Sequence, residues 1–124
     1  MGNLKYNMLS IVIPIYNEEQ YLEELITKVI SQPLPGGLDR ELILVNDASQ
    51  DRTKEIMRAL ASKYPKTKFQ FINKLKNAGK GAAIRDAFKT VMGDLIIIQD
   101  ADLEYDPSDY PKLLQPILDG KADV

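Results

Sequence analysis

The sequence predicts an α/β domain built on a mostly parallel, doubly wound, Rossmann-like sheet. Three observations carry that expectation. Four short apolar runs are spaced along the chain, and the first, second and fourth are nearly continuous in leucine and β-branched residues. Strands buried on both faces read this way, whereas half-exposed strands alternate. Each run is followed by apolar residues at i, i+3, i+4 and i+7, the mark of an amphipathic helix. The resulting βαβαβαβα order implies parallel strands joined by right-handed crossovers.

The first strand is Leu9-Ser-Ile-Val-Ile-Pro. Asn17 is a candidate cap for the helix that follows, with Gln20 completing a capping box. Leu22, Leu25, Ile26, Val29 and Ile30 form that helix's apolar face. Pro33-Leu-Pro-Gly-Gly is a turn-rich loop rather than a linker. The second strand is Glu41-Leu-Ile-Leu-Val, after which Ser49 or Asp51 can cap a helix carrying Ile56, Met57, Leu60, Ala61 and Tyr64. The third strand, Lys68-Phe-Gln-Phe-Ile, alternates, which places it at a sheet edge. Ala83, Ile84, Ala87, Phe88, Val91 and Met92 make the third helical stripe. The fourth strand is Asp94-Leu-Ile-Ile-Ile. Asp106-Pro107 supplies a cap followed by proline at the first helical position, ahead of Tyr110, Leu113, Leu114, Ile117 and Leu118. Ala122-Asp123-Val124 reads as the opening of a fifth strand. The expectation is one domain over residues 1–124, cut short at its C-terminal side.

Composition narrows the chemistry. The 124 residues contain no cysteine and no histidine. Disulfides, thiolate metal sites, histidine zinc sites and Ser-His or Cys-His catalysis are excluded. Acid-base or metal chemistry falls to the 18 aspartates and glutamates. A net charge of −2 argues against a nucleic-acid footprint. No apolar run approaches the ~20 residues of a membrane span, and the N-terminus lacks a signal-peptide core. The segment is therefore expected in the cytoplasm, with attachment to the cytoplasmic membrane face left open through regions beyond Val124.

Ligands of open α/β sheets bind beyond the carboxyl ends of the strands, and polar residues gather at those ends here. The strongest signal is Asp100-Ala101-Asp102, a DXD motif after a buried strand. Two carboxylates one residue apart can converge on a hard divalent cation, for which Mg²⁺ or Mn²⁺ fits. Glu104 repeats the spacing and is a candidate third ligand. Asp47 follows the second strand, where it can bind a base N–H or a sugar hydroxyl, or form an Asx turn or cap. Asn77-Ala-Gly-Lys-Gly-Ala-Ala opens the third helix. Its glycines admit a ligand and its helix start favours anions. Lys80, and with it Lys74, Lys76 or Arg85, can neutralise phosphate; the Walker spacing is absent. Pro14, Tyr16 and Glu18 end the first strand, Tyr16 suited to a base pocket and Glu18 to a ribose hydroxyl.

Taken together, Ser10-Ile-Val-Ile-Pro-Ile-Tyr-Asn-Glu-Glu, Ile43-Leu-Val-Asn-Asp-Ala-Ser-Gln-Asp-Arg-Thr, Asn77-Ala-Gly-Lys-Gly-Ala-Ala and Gly93-Asp-Leu-Ile-Ile-Ile-Gln-Asp-Ala-Asp-Leu resemble glycosyltransferase family 2, on the GT-A fold. Asp100-Ala-Asp-Leu-Glu-Tyr-Asp-Pro107 gives the likeness a shade of the dolichol- and polyprenol-phosphate sugar transferases, of the dolichyl-phosphate mannose synthase type. The resemblance implies that Pro14, Tyr16 and Glu18 form the first nucleotide-contacting loop, that Val45 and Asp47 end the base-binding strand, and that Asp100, Ala101 and Asp102 hold metal and diphosphate. Glu104 stands where some relatives carry glutamine as a metal contact. The implied reaction is inverting, metal-dependent transfer of a sugar from a GDP- or UDP-sugar to a lipid-linked phosphate. No catalytic residue is assigned within this segment, because the acceptor side of the family's proteins lies downstream. The isolated segment is expected to bind nucleotide and metal but to turn over poorly.

Other readings stand beside it. A family 2 enzyme can act on a saccharide acceptor. A nucleotidyltransferase would open with a glycine-rich loop after the first strand, which here is Ile13-Pro-Ile-Tyr-Asn-Glu. A signalling receiver wants acids after the first and third strands, whereas here they follow the second and fourth. A non-catalytic nucleotide-sugar sensor is the remaining alternative.

Overall fold

The computed structural model describes residues 6–101 and 106–120. Strands β1 (Met8–Ile15), β2 (Asp39–Asn46), β3 (Lys68–Asn73) and β4 (Leu95–Ile98) alternate with helices α1 (Leu22–Ser31), α2 (Thr53–Lys63), α3 (Lys80–Phe88) and α4 (Tyr110–Leu118). All strand pairs are parallel, in the order β3-β2-β1-β4. This is the order of the dinucleotide-binding sheet and not the 2-1-3 order of receivers. The expected edge position of β3 is confirmed. The chain runs outward from β1 through β2 to β3, then returns to the other side of β1 as β4. That reversal makes the carboxyl ends of β1 and β4 the topological switch point, where ligands of such sheets bind.

The two faces are filled differently. Leu9, Ile11, Ile13, Leu42 and Leu44 pack with Leu22, Leu25, Leu60, Tyr110 and Leu114, so α1, α2 and α4 share one face. Val12, Ile43 and Val45 meet Ala83 and Ala87 of α3 on the other. Two alanines let α3 lie close to β1 and β2.

The third helical stripe is shorter than its periodicity predicts. Helix α3 stops at Phe88, which is 47% exposed, and Met92 is 75% exposed. The cause lies in β2. Glu41, only 3% exposed, accepts the Met92 N–H at 2.7 Å, Gln70 Nε2 at 2.9 Å and the Ser10 hydroxyl at 2.5 Å. Ser10 Oγ in turn accepts the Gly93 N–H at 2.8 Å. These bonds turn the chain out of α3 and into β4. Burial alone would raise the Glu41 pKa, but the donors from Ser10, Met92, Gln70 and Gly93 outweigh it and hold the carboxyl below its ordinary range. Leu113 of the fourth stripe is likewise outside the core, at 51% exposure.

Residues 122–124, proposed as a fifth strand, lie outside the described residues. No helix among the described residues is long and apolar enough to cross a membrane.

Candidate functional site

The loops after β1 and β2 interlock, and that fixes the walls of the site. Asn17 N–H donates to Ser49 Oγ at 2.9 Å, and Asn17 Oδ1 accepts the Gln50 N–H at 2.8 Å. Glu18 N–H reaches Thr53 Oγ1 at 3.0 Å, and Glu19 N–H reaches Asp51 Oδ2 at 3.1 Å. The predicted helix cap at Asn17 is therefore corrected. Helix α1 begins at Leu22 without a side-chain cap, and Asn17 sits at φ 52° bridging the two loops. Asp51 does serve the start of α2: its Oδ1 accepts the Thr53 N–H at 2.9 Å and the Thr53 hydroxyl at 2.5 Å. Burial alone would raise its pKa, but the Thr53 hydroxyl, with the N–H groups of Thr53 and Glu19, holds the carboxyl below the ordinary range. Asp106 caps its turn as expected, accepting the Ser108 N–H at 2.9 Å ahead of Pro107.

Pro14, Tyr16, Glu18, Asp47, Lys80, Asp100 and Ala101 line a single cleft of about 190 Å³ at the switch point. Seven of the residues singled out from the sequence thus converge. Val45 does not reach the cleft with its side chain, which is fully buried against Val12, Ala83 and Ala87. Lys74 is drawn away too, paired with Asp86 at 2.6 Å. Asp102 and Glu104 lie outside the described residues. Tyr16, 45% exposed, also lines a neighbouring cleft of about 450 Å³ with Asn46, Ser49, Lys74 and Asn77, so it stands between the two.

Asp47 has a role the sequence did not announce. It is 4% exposed, and its Oδ1 and Oδ2 accept the N–H groups of Ala78 at 3.0 Å and Gly79 at 2.9 Å. The carboxylate therefore holds the turn into α3, where Gly79 takes φ 90°, a conformation that side chains resist. A carboxylate has about four acceptor positions, so capacity remains for a ligand. The Asx-type bond expected of Asp47 belongs to its neighbour: Asn46 Oδ1 accepts the Ser49 N–H at 3.0 Å. Ala48 then takes φ 59°, unmarked in sequence because alanine is not a turn residue.

Asp100 is the electrostatic centre of the cleft. Its side chain is 14% exposed and paired with the Lys80 ammonium. The carboxylate already holds a cation in a sheltered place, so its donor chemistry fits Mg²⁺ or Mn²⁺. Among the described residues no three candidate ligands converge. Behind Asp100, Gln99 is fully buried and Tyr110 nearly so. The Tyr110 hydroxyl donates to Gln99 Oε1 at 2.7 Å, and Gln99 Nε2 donates to the Asp100 carbonyl at 3.1 Å. Burial pushes the Tyr110 phenol far above its usual range, against the pull of Arg40, so it remains a donor. The signal for this pair was a glutamine ending an apolar run.

The Glycosyl transferase family 2 profile matches residues 10–124. The chain belongs to that family. This family 2 chain is 40% identical over 112 residues to "Dolichol-phosphate mannosyltransferase" of Pyrococcus furiosus, a match covering 90% of this chain and 30% of that protein. It is 37% identical over 107 residues to "Undecaprenyl-phosphate 4-deoxy-4-formamido-L-arabinose transferase" of Edwardsiella ictaluri, covering 86% and 33%. Among solved structures, a mannosyltransferase from Pyrobaculum calidifontis in complex with GDP-Man and Mn²⁺ superposes with TM-score 0.76 at 25% identity, covering 89% of this chain and 31% of that one. TarS of S. aureus in complex with UDP-GlcNAc gives 0.73 at 26% identity, covering 90% and 31%. The fold is thus the GT-A type of these glycosyltransferases. The chain spans about a third of the length of the curated relatives it matches.

Proposed function

We propose that this family 2 domain binds a nucleoside-diphosphate sugar and a divalent cation at the β1/β4 switch point, for inverting transfer to a polyprenol-type lipid phosphate. The observation that carries the reading is the sheltered Asp100 carboxylate facing Lys80 in the same cleft as Tyr16, Glu18 and Asp47. Support for the donor comes from the GDP-Man and UDP-GlcNAc complexes of its structural neighbours, and for the acceptor from the names of its relatives.

In this reading Tyr16 offers a face for the base, and Glu18 accepts from ribose. Asp47 shapes the turn into α3 and retains acceptor capacity toward the base. Val45 contributes through the strand end that carries Asp47. Asp100 and Asp102 would hold the cation, with Glu104 as a further ligand, and Ala101 lines the same cleft beside Asp100. A bound Mg²⁺ or Mn²⁺ would supply charge neutralisation for the departing diphosphate. Lys80 lines the same cleft, where its ammonium would meet the diphosphate oxygens. An acceptor phosphate oxygen attacks the anomeric carbon from the face opposite the diphosphate. The glycosidic C–O bond breaks and its electron pair leaves with the nucleoside diphosphate. The acceptor is already anionic, so proton removal contributes little. Residues 1–124 act as the donor-binding portion of one domain, at the cytoplasmic face of a membrane in the whole protein.

Calorimetric titration with GDP, UDP and their sugars, with and without Mn²⁺, tests the reading. The expected result is binding of one nucleotide series that requires Mn²⁺ and is lost in Asp100→Ala. Metal-independent binding, or no binding of either nucleotide, overturns it.

A further inference from the structure

We propose that Tyr110 is a positioning residue for the acidic strand end, acting from α4 through Gln99 on the main chain of Asp100. The inference rests on the metal-and-nucleotide reading above and adds to it a residue outside the cleft.

The path is continuous. Tyr110 is 1% exposed, opens α4, and packs in the core with Leu9, Leu95 and Leu114. Its hydroxyl donates to Gln99 Oε1 at 2.7 Å. Gln99 is 0% exposed; its main-chain N–H is held by the Val12 carbonyl at 2.8 Å, and its Nε2 donates to the Asp100 carbonyl at 3.1 Å. Side chains thus tie the start of α4 to the Asp100 main chain.

Packing alone does not require this pair. Phenylalanine and methionine would fill the same space without burying a hydroxyl and an amide, groups that cost stability unless bonded. Hydrogen bonds add direction. With Gln99 fixed at its N–H and at both ends of its side chain, the Asp100 peptide has one orientation, and so does the carboxylate that projects from it. Groups that orient metal ligands in this way typically change metal affinity by about 10–100-fold when lost.

The test uses Mn²⁺ titrations, followed by loss of the free-ion EPR signal, with GDP in one series and UDP in another. Thermal unfolding is read in parallel. Tyr110→Phe is expected to weaken Mn²⁺ binding about tenfold. Gln99→Met should do the same, and the double variant should be no worse than either single one. Ser10→Ala breaks a buried bond elsewhere in the sheet and controls for stability: it should lower Tm without moving Mn²⁺ affinity. Tyr110→Phe or Gln99→Met binding Mn²⁺ within about twofold of the parent overturns the inference and leaves the metal site standing, since at least a tenfold loss is expected of a linked residue. Additive losses in the double variant also overturn it. If the parent protein binds no Mn²⁺ in either series, the metal-site reading itself fails, and the inference with it.

Discussion

Replacing Asp47 with asparagine separates two jobs that one carboxylate holds. Oδ1 and Oδ2 each accept a main-chain N–H, from Ala78 at 3.0 Å and Gly79 at 2.9 Å. Asparagine keeps one acceptor and turns its NH₂ toward the other amide. One charge-assisted bond is lost, and two donors then face each other. A hydrogen bond to a charged group is worth about 1.5–3 kcal/mol. Ala78 is exposed, so water recovers part of the loss, and a net ~2 kcal/mol is expected. For a domain of this length that corresponds to roughly 6–10 °C in Tm. The assay is thermal and urea unfolding of the protein without nucleotide. A residue that touches only the base would leave ligand-free stability alone. A ligand-free Tm within about 1 °C of the parent, well inside that range, would show that Asp47 does not hold the turn into α3.

Three further expectations concern the sheet and the cleft. A Cβ at Gly93 would lie 2.5 Å from Ser10 Oγ and 2.8 Å from both Met8 O and Ser10 N. Two of those atoms are main chain and cannot swing aside, so urea unfolding of Gly93→Ala should show a loss of about 2–3 kcal/mol. The Glu41 pKa is depressed in the folded protein, so its stabilisation is full above the unfolded carboxylate pKa and is lost as pH falls through the folded value. Glu41→Gln should therefore lower stability near neutral pH and flatten the acid side of the stability profile measured by denaturant midpoints; an unchanged acid slope would contradict this. Lys80→Met removes the cation paired with Asp100. It should tighten Mn²⁺ binding to nucleotide-free protein several-fold and weaken nucleoside-diphosphate binding, both read by calorimetry; unchanged affinities would contradict the pairing's role.

Much of the scaffold was legible because the inner strands β1 and β2 are buried on both faces and say so in composition; Leu95-Ile-Ile-Ile reads the same way, but β4 lies at the sheet edge opposite β3, with Ile96 39% and Ile98 38% exposed. Ile11-Val-Ile and Leu42-Ile-Leu-Val sit in the sheet interior at zero exposure, and alternating Lys68-Phe-Gln-Phe-Ile lies at an edge. The placement of Tyr16, Glu18, Asp47, Lys80 and Asp100 was legible for a topological reason, since strand ends at a switch point must meet. Long-range hydrogen bonds were not legible. Periodicity carried the third stripe to Met92, but Glu41 draws the Met92 amide across 51 residues of sequence and turns the chain. Asn17 has the composition of a cap, yet Ser49 and Gln50 claim it from the next loop. Asp47 reads from the sequence as either a base contact or a local turn, and its partners lie 31 and 32 residues away. Such pairings leave no local pattern, because their partners are chosen by the fold.

The most direct measurement is an anomalous difference map from crystals soaked with Mn²⁺ and the nucleoside diphosphate that the protein binds. A peak is expected beyond the end of β4, at metal–ligand distance from aspartate oxygens of Asp100 and Asp102, with diphosphate oxygens completing the shell and Lys80 moved off Asp100. Ordered nucleotide in the cleft with no manganese peak beside that turn would contradict it.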